Sequence, residues 1–408
     1  MQKSIILILA VFFVGCTNQS NQNSRYSEGQ ITSLYLDSTT ILHGKTDSLI
    51  TVDLNPFLKK QDYDLGSLIK EVKFIPLETT TESLLDNIRK IIVTESNIYI
   101  YDNFKGGGII IFNREGKFVR RITHGQGPGE IFRLWDMAYD SENNELVAFQ
   151  HPFLFFYTSS GKFIRQERLP FGFYNFIVTP NGYVFKTLDR AGNGHLGILE
   201  DYTLLITDKK FKLKSVGMFY SQNNINYGGY NYLYKNNNMV EVTQRFTDTI
   251  YQYVDKTNEL KAKYAMNYSR KKLPKRYFQG SFDEFDNAIR QNDYYFHLGE
   301  YLDAGYHHAF ILRNEHLGLR TIIYRDKKSG NLQGGTYGIC DGTNGMPSMS
   351  FPMAVSDNYF ISAHFPNKND NFLSNTNSVI VSQEDKQKIQ NLMEDDNPVL
   401  VFYELKDF

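Results

Sequence analysis

Tryptophan occurs once and cysteine twice in 408 residues, and neither sign of charge is in surplus: 44 Lys and Arg stand against 45 Asp and Glu. A formal net charge of −1 argues against a nucleic-acid binder, which needs a basic excess to neutralise phosphates. The scarcity of cysteine leaves no disulfide framework, so a fold must stand on its hydrophobic core. No apolar run is long enough to cross a bilayer as an ordinary helix; the longest, Ile5 to Val14, is too short. No G-x-S-x-G elbow is present to support a serine hydrolase. Aromatic residues are plentiful at 15%, almost all Tyr and Phe, as strand surfaces favour.

The apolar run follows Lys3 and ends at Phe13-Val14-Gly15-Cys16. A basic start, a short apolar stretch and a small residue before cysteine read as an export signal. The pattern resembles a bacterial lipobox, which implies cleavage after residue 15 and lipid on Cys16. Cys340 would then be the sole free thiol. A polar, low-complexity stretch follows Cys16, so residues 16–65 are expected to be a flexible tether, only partly ordered. Residues 66–408 are expected to form one domain.

Within that domain a unit recurs: an apolar strand, a polar turn, then a second short strand. Ile109–Arg120 and Leu154–Arg165 are the clearest copies, and Phe112, Tyr157, Ile206, Tyr253, Tyr324 and Phe402 occupy one phase. Their spacings are 45, 49, 47, 71 and 78 residues. The first three suit a four-stranded propeller blade. The two long steps carry helical insertions: a capping box at Ser281–Glu284 placing Phe282, Phe285 and Ile289 on one face, and a polar helix opened by Ser382 that holds Ile389, Leu392 and Met393. In the first unit, strands are expected at 88–93, 98–101, 109–112 and 118–122. The last unit lacks an outer strand, and Glu71–Leu77 can supply it beside Val399–Tyr403, closing a ring. An open solenoid would leave both segments unexplained. The expected fold is therefore an all-β, six-bladed propeller closed by its N-terminal strand.

Four segments carry a family resemblance: Phe74–Thr80, Tyr99–Asn103, Gly125–Glu130 and Asp248–Tyr251. Together and in this order they resemble NHL-type repeats, and more closely the six-bladed β-propeller lipoproteins of Bacteroidetes. The resemblance implies a fold and a place in the cell envelope, at the outer membrane on its periplasmic or surface face. It implies no activity, because function resides in a site and not in a shape.

Several motifs reduce to structure. Gly125–Glu130 is followed by a strand-like run where a phosphate loop would need a helix N-terminus, so it reads as a crossover between blades. Gly192–Gly197 matches G-x-G-x-x-G without the surrounding βαβ unit a dinucleotide demands. His297, His307, His308 and His316 are dense, yet adjacent His307 and His308 point to opposite faces of a strand and cannot share one metal ion. No metal or cofactor is called for.

The candidate site comes from position within the repeat. Where each second strand enters its loop stand Asp102 and Asn103, Gln150 and His151, Asp189 and Arg190, Gln244 and Arg245, Arg313 and Asn314, and His364. In a ring these ends share one face at the channel mouth, where convergent polar groups would form a ligand site. Polar loop starts are also what any exposed turn requires. Arg133, Trp135, His124 and Glu130 can join the same face. The expectation is a non-catalytic binding or scaffold lipoprotein for a glycan, peptide or envelope protein. The alternative is a propeller hydrolase or lyase acting on a sugar or lactone in the central funnel, which would need a metal or two suitably spaced carboxyls.

Overall fold

The protein is described by a computed structural model covering residues 26–408 except 59–61, 104–106, 124, 189–190, 220–223, 230, 237–238, 340–350, 367–381 and 391. Six four-stranded antiparallel meanders form a six-bladed β-propeller. The first blade uses Ile88–Val93, Asn97–Asp102, Gly108–Asn113 and Phe118–Ile122, within a residue or so of the sequence expectation. Blade 2 spans residues 136–168, blade 3 residues 175–219, blade 4 residues 233–267 and blade 5 residues 301–335. Blade 6 takes Ala354–Ser356, Tyr359–His364 and Val399–Leu405 from the C-terminal part, and Ile69–Pro76 as its outermost strand. That last pair is antiparallel, with Val401 opposite Phe74 and Val399 opposite Pro76.

Blades pack face to face, so their middle strands are buried on both sides and lose the apolar–polar alternation of a one-sided sheet. Gly108–Asn113 and Phe153–Thr158 are apolar nearly throughout, whereas the outer strand Glu259–Asn267 alternates strictly. Each interface between neighbouring blades holds its own apolar cluster, and the cluster of Ile98, Ile110 and Phe112 with Ile361, Leu400 and Phe402 joins blade 6 to blade 1. The innermost strands touch in order around the ring and return to the first. All six residues of the repeat phase, Phe112 through Phe402, lie buried on third strands.

The segment expected to be a flexible tether departs from that expectation over much of its length. Thr40–Leu42 lies parallel to Ser215–Gly217 on the outer edge of blade 3, and Ile50–Asp53 parallel to Tyr264–Asn267 on blade 4. Asp62–Asp64 continues against Tyr337–Ile339 beyond blade 5. Outer blade edges expose unpaired amides and carbonyls, and this strap satisfies them while burying Leu34, Val52 and Leu54.

The insertion helix Phe282–Gln291 begins with a full capping box: Ser281 Oγ accepts from Glu284 N at 3.3 Å, and Glu284 Oε2 accepts from Ser281 N at 3.2 Å. Phe285 and Ile289 are buried as expected, but Phe282 is 53% exposed. It stands in the first turn, ahead of the part of the helix that meets the propeller. The second helix, Gln383–Gln390, starts after Ser382 but ends before Leu392 and Met393, which were expected on it; Leu392 packs on the core and Met393 projects outward.

Candidate functional site at the channel mouth

In every blade the loops between second and third strands, and the crossovers to the next blade, leave the same end of the sheet. The sequence-selected residues therefore share one face. Many of them hold crossovers in place. Buried Asp102 accepts from Asn87 N at 3.1 Å and from Asp86 N at 3.3 Å. One blade on, Gln150 Oε1 accepts from Phe132 N at 2.6 Å and Arg133 N at 3.0 Å. Both side chains end a second strand and receive the amides of the crossover entering their own blade. In blade 3, Asn193 does the same, accepting from Gly172 N at 2.7 Å and donating to Gly172 O at 2.9 Å.

Blades 4 and 5 use cations. Buried Arg245 donates to Asn226 Oδ1 at 2.5 Å, and Arg313 grips Glu300 with two hydrogen bonds, Nε at 2.8 Å and Nη2 at 2.5 Å. Asn314 donates to Asp293 Oδ1 at 2.6 Å. Asn103 is exposed and gives its amide to Asn87 O at 3.3 Å. His364 ends its strand half-buried, opposite Val399. Glu130 folds back on its own crossover, where Oε2 accepts from Gly127 N at 2.8 Å. Gly129 in that turn has φ +76°, and a Cβ there would stand 2.5 Å from Phe163 Cβ, so only glycine fits. Asp189, Arg190 and His124 lie outside the described residues, as do Cys16 and Cys340.

Arg133 and Trp135 belong to a different arrangement. Trp135 immediately precedes the innermost strand of blade 2, and Tyr174 holds the equivalent place in blade 3. Their rings are 5.7 Å apart at 49°, both partly buried, and the Arg133 guanidinium lies 5.3 Å above the indole. Trp135 also touches Phe149, which stacks on Phe173 and meets the edge-on rings of Phe176 and His151. A cation over a partly exposed aromatic pair is a surface that can stack a planar or sugar-ring ligand and hold an anionic or hydroxyl group beside it.

Two further residues escaped the sequence reading. Asp136, one residue inside Trp135, is buried and bridges three innermost strands, as developed below. Lys186 ends the second strand of blade 3 fully buried. Its Nζ donates to Thr203 Oγ1 at 2.7 Å and Thr187 O at 3.0 Å, and burial, with Arg245 nearby, pushes the amine down to about 7. Tyr174 was findable: extending the phase of Trp135-Asp136 by one blade reaches Tyr174-Asn175. Nothing local marks Lys186 or Asp136, because their partners come from other strands. The histidines expected not to share an ion do face apart: His307 stacks on Phe408, and His308 lies against Tyr264.

Comparison with known proteins assigns the chain. Residues 49–404 match the model of a family described as a domain of unknown function, DUF4934, and the protein belongs to that family. Its fold is that of a crystal structure from Bacteroides fragilis NCTC 9343, a protein whose description assigns it to export. The two share 17% identity at TM-score 0.70, over 88% of this chain and 100% of that one. Weaker likenesses include the WD40 repeats of RRP9 (8% identity, TM-score 0.39, 83% and 99% of the two chains) and the extracellular domain of a one-component system from B. thetaiotaomicron (10%, 0.37, 81% and 40%). No functionally curated protein matches.

Proposed function

We propose that the protein is a non-catalytic binding propeller of the cell envelope, held to the membrane through lipid on Cys16, that takes a glycan, peptide or protein partner at its channel mouth. The observation that carries this reading is the Arg133–Trp135–Tyr174 shelf, partly exposed at the head of two neighbouring innermost strands. Around it, Asp102, Gln150, Arg245 and Arg313 hold the crossovers, so the shelf is presented by a pre-organised rim, which lowers the ordering cost of binding. The export signal in the sequence and the fold shared with a protein described as exported support the envelope placement. Among the described residues no helix is long and apolar enough to cross a membrane, which suits a lipid-anchored body.

Trp135 is the single tryptophan among 28 tyrosines, so fluorescence excited at the red edge, where tyrosine scarcely absorbs, reports on the shelf alone. Titration with a panel of oligosaccharides and envelope peptides should give a saturable change with at least one class. Arg133→Ala and Tyr174→Ala should each weaken that binding by about tenfold, the effect of losing one stacking or cation–π contact. A flat signal across the panel, or variants that bind like the parent, overturns the assignment of the shelf.

A further inference from the structure

We infer that the loop end of the propeller is a membrane-docking face, whose outer rim seats on the bilayer that carries the Cys16 lipid. Two independent observations lead there. First, large apolar side chains left in solvent are distributed unevenly between the two ends. Crossovers expose Leu84, Phe132 and Phe282; second-to-third-strand loops expose Ile198 and Phe365; and Phe219 projects from the end of the outermost strand of blade 3. Ile198 is 81% and Phe219 64% exposed. At the opposite end the described residues include Tyr306 in a tight turn, and Val119, Phe163 and Ile164 where outermost strands begin; these are fewer, and none is as exposed as Ile198 or Phe219. Tyr35, on the strap, lies under the Lys212 ammonium at 4.1 Å. Isolated surface apolar residues are ordinary, but a rim of them on one face marks an interaction surface.

Second, the chain leaves the body at the same end. Tyr26 is buried with its ring 4.6 Å from that of His195, and His195 Nε2 lies 2.7 Å from Pro170 O. His195 belongs to the second-to-third-strand loop of blade 3 and Pro170 to the crossover that enters that blade, so both are at the loop end. Ten residue steps separate Tyr26 from Cys16, a reach of at most about 35 Å when fully extended. A lipid on Cys16 is therefore tethered to the loop end, the end at which the chain leaves the body. A single acyl anchor holds only marginally and gains from a second membrane contact; the apolar rim supplies one. Docked this way, the mouth meets the headgroup layer. The inference rests on acylation of Cys16 but not on the ligand shelf, and it stands whether or not Trp135 reports a soluble ligand.

The test removes the lipid and asks what remains. The mature chain carrying Cys16→Ser is mixed with vesicles of phosphatidylethanolamine and phosphatidylglycerol and separated by flotation. It should float with the vesicles. The triple variant Phe132→Ser/Ile198→Ser/Phe219→Ser should partition about tenfold less, while Tyr306→Ser at the opposite end should partition like the parent. All are exposed positions, so melting should be unchanged; if the triple variant melts early, Ile198→Ser alone is read. Absence of flotation by the parent, equal flotation of the rim variant, or an equal loss in Tyr306→Ser overturns the inference. Self-association abolished by the rim variant without any flotation overturns it in favour of a second copy as the occupant.

Discussion

The Lys90 ammonium donates a 2.7 Å hydrogen bond to Asp136 Oδ1, tying the innermost strand of blade 1 to that of blade 2. The other carboxylate oxygen accepts from Phe176 N at 3.0 Å and Asn175 Nδ2 at 3.3 Å, on the innermost strand of blade 3. One buried carboxylate thus joins three blades beside the Trp135–Tyr174 shelf. Asp136→Ala strands a partly buried ammonium and a backbone amide, and should destabilise the protein by about 3–5 kcal/mol. Urea denaturation measures this directly. A loss under about 1 kcal/mol would mean that the bridge is not formed, since only exposed pairs are worth so little.

Asn397 performs the corresponding task where the chain passes from blade 6 to blade 1. Its buried amide donates to Glu78 O at 2.8 Å and Ser83 O at 2.9 Å, and its oxygen accepts from Leu85 N at 2.9 Å. Removing it leaves several buried backbone groups unpaired, each costing about 1–3 kcal/mol. Asn397→Ala should lower the melting temperature more than any substitution of exposed Asn103, and equal melting temperatures would refute the assignment.

Acid should loosen the seam between blades 4 and 5. His308 is fully buried against Tyr264 and Tyr301. Burial pushes its imidazole down to about 4, opposed by Asp303, whose carboxylate lies 3.4 Å from Nε2. The unfolded chain, with an ordinary histidine, takes up its proton near 6.5, so between about 6.5 and 4 the unfolded state binds more protons. Stability is complete above that window and falls as pH falls through it, by about 3 kcal/mol at most. His297, also lowered by burial, acts with the same sign. His308→Gln should therefore flatten, without abolishing, the dependence of melting temperature on pH between 4 and 6.5; an unchanged slope would show that His308 does not titrate as described.

What was readable in the sequence was periodic and local. The phase carrying Phe112, Tyr157, Ile206, Tyr253, Tyr324 and Phe402 marks buried third strands because each blade repeats the same two-sided burial. The capping box at Ser281 announced its helix through bonds made within three residues. Burial at the ends of insertions was less legible: Phe282 starts its helix yet faces solvent, because a helical period names a face without saying where the neighbouring surface stops, and Met393 lies past the end of the helix that the sequence pattern extended over it. The loop-start residues were located by repeat phase, but phase could not tell a group that holds a crossover from one left open, since the difference lies in which backbone amides arrive.

By itself, then, the amino-acid order determined the six-fold repeat, the strand boundaries of the first blade and the segment that completes the last sheet, because each depends on spacing and side-chain type along one stretch of chain. Tertiary structure alone decided that the polar stretch around Thr40–Leu42 and Ile50–Asp53 becomes a strap on blades 3 and 4. It alone brought Lys90 to Asp136 and Trp135 to Tyr174. Those contacts join residues about 40 to 215 positions apart, and their existence depends on blade stacking, which no local pattern encodes.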